Sequence, residues 1–211
     1  MSLLSRCCKA LLAFIIFFSM ATALQNVPGD LDGNLIVSDD EIARAEADFA
    51  KGSITEQNIT EIRHIHDVYP ITVTDTQGRN VTIYQPIKTV VCDISHHLET
   101  LRTLGVPSSM IIGGPENIDI YSIFPEYDNL TPVGSFYEPN VEMMIQLHPD
   151  LILIHPGTGS GTFGAFLGPL LEQLEGAGLT VVFNDSAPTE IYTDEVEKIG
   201  RLFERQEDAG K

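Results

Sequence analysis

The chain has 211 residues, enough for one full domain and a smaller one, and its 43% hydrophobic share is that of an ordinary globular protein. Thirty acidic side chains against twelve basic give a formal charge of -18. That balance argues against nucleic acid and anionic lipid surfaces as partners, since both would repel it; it suits an exported or cation-binding protein and equally keeps a soluble protein dispersed.

At the N-terminus, Arg6 and Lys9 precede an apolar run over 10–18, and Ala21-Thr22-Ala23 offers the small residues a signal peptidase needs. This predicts a secretory signal peptide over 1–23 and an extracellular, cell-surface or periplasm-like location. The competing reading is an uncleaved membrane anchor, for which the run is short against the roughly 20 residues of a spanning helix. Cys7 and Cys8 precede the apolar run, so neither stands where a lipoprotein cysteine would. Cys92 is then left alone in a Val-Val-Cys strand, as inert core with no disulfide partner. Asn58, Asn80, Asn129 and Asn184 each open an N-x-S/T triplet, which on an exported chain marks exposed loops.

Residues 26–68 read as a separate small module. In the run 30–41, Asp30, Asp32, Asn34, Ser38 and Glu41 fall at positions one, three, five, nine and twelve, with the Ile36 carbonyl at seven. Ca²⁺ takes six to eight hard oxygens, and alternate residues of a twelve-residue EF-hand loop supply them, the final Glu with both oxygens. Leu35 departs from the pattern, because position six is normally Gly for the sharp turn. A helix follows with Ile42, Ala45 and Phe49 on one face. The run 54–59 repeats 37–42, and Ile59, Ile62 and Ile65 form a second stripe. The pair resembles a degenerate dockerin-type module, which implies bound Ca²⁺ and a dockerin-type protein partner; the alternative is an acidic surface turn before two helices. His64 and His66 read as surface residues, since i, i+2 spacing puts them on different sides of a helix.

At Ile71 the pattern changes to two alternating, β-branched runs around Asp75-Thr76-Gln77-Gly78, the signature of a hairpin closed by a type I turn. Apolar runs at 89–92, 110–112, 151–154 and 180–183 then alternate with helical stretches, which predicts a parallel sheet with crossover helices. Asn140 is placed to cap a helix ending before Pro149, Gly168-Pro169 to start another running to Gly176, and 188–206 to form a helix with Tyr192, Val196, Ile199 and Phe203 on one side and Ser186 as its cap. The fold class is α/β: a single Rossmann-like lobe over 71–186 with an N-terminal hairpin, behind the small α-helical EF-hand-like module. Ligands of such sheets sit beyond the carboxyl ends of the strands, which selects the loops 93–97, 113–117, 134–137 and 155–161. The glycines of 157–164 lack the Lys-Ser/Thr ending of a phosphate loop. No nucleophile-base order or metalloprotease motif supports catalysis.

The hairpin pattern I-x-V-x-D-x-x-G-R-x-V-x-I at 71–83, the helix ending Leu101-x-x-Leu104-Gly105, Pro132-Val-Gly-Ser135 and Glu138-Pro-Asn140-Val-Glu-Met-Met-Ile-Gln-Leu-His-Pro-Asp150-Leu-Ile-Leu153 together resemble the solute-binding proteins that feed ABC importers of cobalamin, haem and ferric siderophores. The resemblance implies a metal-chelate ligand, an importer permease as partner, and the selected loops as the cleft wall. Phe136 and Tyr137 are then expected to stack on the ligand, Ser95, Ser135 and Thr158 to hydrogen-bond to it, and His96, His97 and His155 to approach its metal, with Asp93 in the same wall. For Asp93 and Ser95, capping of the following helix is the alternative. In that family a long helix after the first lobe leads to a second, so 187–211 reads as the start of that helix with the second lobe absent. The rival function is a calcium-dependent surface interaction module that has lost transport.

Overall fold

The computed structural model describes residues 26–116, 125–135, 137–157, 164–185 and 192–209. The expected signal peptide, Phe136, Thr158 and the expected Ser186 cap lie outside these residues.

Two helices open the chain, α1 (Asp39–Ala50) and α2 (Glu56–Val68). The internal repeat has a physical basis at their starts. Thr55 Oγ1 accepts the Asn58 N–H at 3.2 Å while Asn58 Oδ1 accepts the Thr55 N–H at 3.1 Å, and Glu41 Oε2 likewise accepts the Ser38 N–H at 2.9 Å. Val37 and Ile42 around the first cap, and Ile54 and Ile59 around the second, occupy the staple positions before and after it. What repeats is thus a helix-capping device.

The hairpin forms as expected from β1 (Ile71–Thr74) and β2 (Asn80–Ile83), in register from Ile71 opposite Ile83 to Thr74 opposite Asn80. Gly78 has φ +75°, and its N–H donates to Asp75 O at 2.9 Å. Asp75 also stitches the hairpin to the lobe. Its carboxylate accepts the Gln77 and Arg79 N–H groups and the Arg79 Nε–H, and Arg79 reaches on to Val181 O at 2.9 Å and Glu175 at 2.8 Å, with its guanidinium 4.8 Å over the Phe183 ring.

Five parallel strands make the main sheet: β3 (Val90–Cys92), β4 (Ile111–Gly114), β5 (Thr131–Pro132), β6 (Leu151–Ile154) and β7 (Val181–Phe183), in the order β5-β4-β3-β6-β7. Each central strand is apolar throughout because both faces are covered. Val90, Cys92, Leu151 and Leu153 face one core with Leu98, Leu101, Ile199 and Leu202; Val91, Ile152, Ile154 and Val181 face the other with Met144, Leu170 and Leu174. α3 (Ser95–Thr103) and α6 (Tyr192–Leu202) thus cover one side, and α4 (Val141–Leu147) and α5 (Gly164–Gly176) the other. Cys92 is fully buried, and burial pushes its thiol well above the usual range.

Several local readings change. Asn140 caps α4 through the Met143 N–H at 3.0 Å, as its position suggested. α5 starts at Gly164 and takes Pro169 inside, so the proline removes one main-chain bond within a 13-residue helix and does not open it. α6 stops at Leu202, ahead of the expected end at 206, and a short α7 (Gln206–Ala209) follows. There the Arg205 N–H donates to Gly200 O and the Glu204 N–H to Arg201 O, a Schellman ending with Glu204 at φ +56° in the place usually held by glycine. The carboxylate of Glu204 explains why. It accepts the Tyr69 hydroxyl at 2.5 Å and faces His64 Nε2 at 3.0 Å, tying α6 to α2.

That contact belongs to a larger one. Val27, Val37, Ile62, Ile65 and Tyr69 from 26–69 join Ile71, Val90, Leu98 and Leu101 in a single core cluster. The N-terminal helices keep their own elements but pack on the lobe as part of one hydrophobic body.

Candidate functional site

The chain runs from β3 outward to β4 and β5, then returns to the other side of β3 as β6 and β7. The order therefore reverses between β3 and β6, and the crevice of an open α/β sheet opens at the carboxyl ends of such a pair. Asp93–His97 leave β3 there, His155–Gly157 leave β6, and Asn184 and Asp185 leave β7 beside them.

Asp93 holds the floor. Its Oδ2 accepts the His155 N–H at 2.9 Å, while its own N–H donates to Leu153 O, so it bridges the two strands that part. It does not cap α3, whose cap position is Ile94, without a side-chain hydrogen bond. Ser95 is the first helical residue and half-buried, which also removes it from the capping role.

The three histidines separate. His97 is fully buried, with Nε2 3.0 Å from Asn184 O. Its Nδ1 stands 3.2 Å from Asp93 Oδ1 without hydrogen-bond geometry. A ring with no exposed surface cannot touch a ligand metal, so His97 supports the floor from below. His155 is nearly buried too; its Nδ1 accepts the Gly157 N–H at 2.9 Å and its Nε2 lies 3.4 Å from Asp185 Oδ1. Its Nδ1 is thereby engaged, while Nε2 faces the Asp185 carboxylate. Burial holds its pKa below the usual imidazole range, against the opposing pull of Asp185 and Asp93. His96 alone of the three is exposed.

After β5, Ser135 and Glu138 face each other across a tight turn. The Ser135 N–H donates to Glu138 O, the Glu138 N–H returns to Ser135 O and Oγ, and Gly134 bridges Pro139. Gly134, at φ +84°, is required: a Cβ there would meet Glu138 O at 2.4 Å. Tyr137 stands at this tip, 78% exposed. The Glu116 N–H donates to Gly134 O at 2.8 Å and joins the loop after β4 to the same rim. Ser95 and Ser135 are thus half-buried and His96 and Tyr137 exposed after the strand ends, while Asp93, His97 and His155 are buried there.

Asn184, read in sequence as a sugar acceptor, is fully buried, and its Nδ2 donates to Glu195 Oε2 at 2.6 Å. Exposure as a loop asparagine is therefore overturned there, whereas Asn58, Asn80 and Asn129 are exposed. Glu195 also accepts the Asp185 N–H and the Lys198 ammonium. Desolvation raises its pKa, and Lys198 partly offsets that. This Asn184-Glu195-Lys198 latch between β7 and α6 was missed in the sequence. The signal available was the rule already used for the other strands, applied to the end of 180–183.

In the N-terminal loop, carboxylate oxygens of Asp30, Asp32 and Glu41 lie within 4.8 Å of one another. The loop wraps inward on them. Asp30 accepts the N–H groups of Gly33, Asn34 and Leu35, and Asn34 Oδ1 that of Ile36. Leu35 takes φ +71°, the conformation for which position six prefers glycine. Glu41 accepts N–H groups from Ser38, Leu31 and Asp32, which lower its pKa to about 2. Ser38 Oγ donates to the same carboxylate at 2.8 Å. The donor set is hard oxygen throughout and fits Ca²⁺ chemistry.

No family model matches the chain. It is 29% identical over 151 residues to the uncharacterized ABC transporter substrate-binding lipoprotein YvrC of Bacillus subtilis, covering 71% of this chain and 45% of that protein. Among solved structures it is similar to the TroA-like periplasmic binding protein FepB from Veillonella parvula (TM-score 0.56, 24% identity, 67% of this chain and 44% of that one). It is also similar to the petrobactin-binding protein YclQ from Bacillus subtilis (TM-score 0.55, 21% identity, 67% and 48%). The chain thus spans about half the length of the proteins it matches. Among the described residues no helix is long and apolar enough to cross a membrane. The parallel sheet, its order and the antiparallel hairpin before it give this chain the fold of a TroA-like periplasmic binding protein lobe.

Proposed function

We propose that the chain captures a metal chelate, of the ferric siderophore, cobalamin or haem kind, outside the cytoplasm and presents it to an ABC importer permease, without making or breaking bonds. The observation that carries this reading is the reversal of strand order between β3 and β6, in a chain similar to a substrate-binding lipoprotein; Ser95, His96, Ser135 and Tyr137 are its candidate ligand contacts. The lobe forms one wall of the ligand cleft. Tyr137, exposed between Ser135 and Glu138, offers an aromatic face, and the two serine hydroxyls offer donors for the polar edge of a chelate. Fluorescence titration with cobalamin, haem and a ferric siderophore tests it: saturable binding of one, weakened at least tenfold by Tyr137→Ala, is expected. Failure of all three to bind would sink the reading.

The N-terminal loop is proposed to hold Ca²⁺ through Asp30, Asp32, Asn34, the Ile36 carbonyl, Ser38 and Glu41. The convergence of three carboxylates supports it. Calorimetry with Ca²⁺ should give one site that Asp30→Ala abolishes; identical heats from both proteins would remove it. A second reading, a calcium-dependent dockerin-type contact with a protein partner, is favoured by Leu31 and Ile36, apolar yet exposed on that loop. Oligomer or partner binding that ignores Leu31→Ser would remove that one.

A further inference from the structure

We propose that Asn129 is the acceptor of an N-linked glycan and that folding withholds the other three Asn-x-Ser/Thr triplets; this rests on the export part of the reading above and is independent of the ligand. Sequence alone does not separate the candidates. Asn58-Ile-Thr60, Asn80-Val-Thr82 and Asn129-Leu-Thr131 each place one aliphatic residue between asparagine and threonine, and only Asn184-Asp-Ser186 differs. A transferase must reach the asparagine Nδ2 and the hydroxyl two residues on together. What separates the triplets is therefore the backbone that carries them and the partners their side chains already have.

Asn184 is withheld by burial. It has no exposed surface, and its Nδ2, the atom a sugar would take, donates to Glu195 Oε2 at 2.6 Å. Asn58 is exposed but is the third residue of α2, where its Oδ1 accepts the Thr55 N–H at 3.1 Å and the Thr55 hydroxyl at 2.6 Å. On a helix, positions two apart point to different sides, so Thr60 turns away from it. Asn80 and Thr82 do share one face of β2, but both are tied across the hairpin: the Thr74 hydroxyl donates to Asn80 Oδ1 at 2.9 Å, and Thr82 Oγ1 lies 2.9 Å from Thr72 Oγ1.

Asn129 differs on each count. A single 3₁₀ turn, Pro125–Tyr127, precedes it, and the segment is pinned on both sides: Tyr127 is buried, Glu126 pairs with Arg102 at 2.7 Å, and Leu130 packs on Gly114, where a Cβ would meet Leu130 Cδ1 at 2.7 Å. The Leu130 N–H donates to Tyr127 O at 3.1 Å, which leaves Asp128 and Asn129 as the exposed pair of the turn. Among the described residues neither Asn129 nor Thr131 has a side-chain hydrogen bond, so amide and hydroxyl are both open to an incoming enzyme. The position also suits a bulky group. Asn129 leads into the amino end of β5, the last strand on that side of the sheet, while Ser135 and Tyr137 follow its carboxyl end. A hydrated glycan at the start of an edge strand opposes pairing with another chain and stands at the other end of the strand from those candidate ligand contacts.

The donor is a polyprenyl-phosphate-linked oligosaccharide. Nδ2 bonds to the anomeric carbon, the bond from that carbon to the phosphate oxygen breaks, the phosphate leaves with the electron pair, and Nδ2 gives one proton to the transferase. Chain recovered from outside the cells that make it, treated with an N-glycan-releasing amidase in ¹⁸O water and mapped by mass spectrometry, should show a labelled aspartate at position 129 and none at 58, 80 or 184. Unmodified asparagine at 129, or modification at any of the other three, overturns the proposal whether or not the chain captures a chelate. Chain found only in the cytoplasm overturns it through the export on which both readings rest.

Transfer in vitro separates fold from sequence. Given an oligosaccharyltransferase and its lipid-linked oligosaccharide, short peptides around Asn58, Asn80 and Asn129 should be accepted within about threefold of one another, since their triplets are alike. The folded full chain should instead take glycan at Asn129 about tenfold faster than at Asn58 or Asn80, and Asn129→Gln should lose that fast transfer. A folded chain without this preference, or peptides that show the same preference as the folded chain, overturns the claim that the fold selects the acceptor.

Discussion

Glu41 and Glu195 are both buried carboxylates near a helix start, and their surroundings push them in opposite directions. Glu41 sits in the N-terminal loop among main-chain N–H donors from Leu31, Asp32 and Ser38, which hold it ionised with a pKa of about 2. Glu195 sits beside the end of β7, where burial raises its pKa and the Lys198 ammonium and the Asp185 N–H work against that. The difference lies in which influence leads: loss of water at Glu195, main-chain N–H donors at Glu41. The N-terminal loop is built to keep a carboxylate charged. The latch uses its carboxylate to join two elements and tolerates the cost.

The largest expected effect is at the latch. Glu195→Ala strands the buried Asn184 amide and Lys198 ammonium, and a loss of about 3 kcal/mol is expected in urea unfolding, because removing one partner of a buried pair leaves the other uncompensated. Retention of wild-type stability would show that the latch contributes nothing.

Glu41→Gln comes next. In calcium-free buffer the variant should be less stable by about 2 kcal/mol near neutral pH, from weakened charge-assisted hydrogen bonds. Since the folded pKa is depressed, Glu41's contribution is present above its unfolded value near 4.5 and is lost as pH falls toward 2. The gap between wild type and variant should therefore close between about pH 5 and pH 2. A gap that stays constant across acid would contradict the donor account.

Leu35→Gly sharpens the same region from the other side. Relief of the left-handed backbone should raise stability by about 1 kcal/mol, less whatever packing Leu35 provides. If calcium binds, affinity should rise in the same variant; a fall in both would mean that Leu35 matters through its side chain.

The smallest effect is at His66, which lies 2.9 Å from Asp67 and 3.0 Å from Asp39 and whose pKa is raised first by Asp67 and then by Asp39. Its contribution is full below the unfolded value and lost as pH rises through the raised folded one. Both carboxylates are exposed, so His66→Asn should cost only about 0.5 kcal/mol at pH 5.5 and less at pH 8.5, measured by thermal melts. A larger loss at the higher pH would reverse the sign of the argument.

Much of the fold was legible because it is local. The runs at 89–92, 151–154 and 180–183 are apolar at every position, which only a doubly covered strand demands, and Asp75 with Gly78 specifies its own turn. Asn140 announces α4 through one side chain and one N–H. That Ser95, His96, Ser135 and Tyr137 follow strand ends was legible to the same extent, since strand ends follow from strands. Phe136 and Thr158 remain expectations from the sequence.

The floor was not legible. His97 and His155 read as loop histidines, and only their placement against Asn184, Gly157 and Asp185 shows that they face inward. Asn184 matched a sugar-acceptor triplet, and nothing in that triplet reveals Glu195 eleven residues on. The end of α6 was hidden for a related reason: a non-glycine residue stops the helix because Tyr69 and His64, more than 130 positions earlier, hold its carboxylate.

By itself, the sequence determined the main strands and helices, the hairpin, the Asn140 cap and the acidic balance of the chain. These depend on period, on neighbours three or four residues apart, or on composition. The tertiary structure alone decided that the N-terminal helices share the lobe's core, that two of three candidate histidines support the floor from within, and that a carboxylate from α6 closes the latch. Those outcomes depend on which distant groups are brought within about 3 Å, and no local pattern encodes that distance.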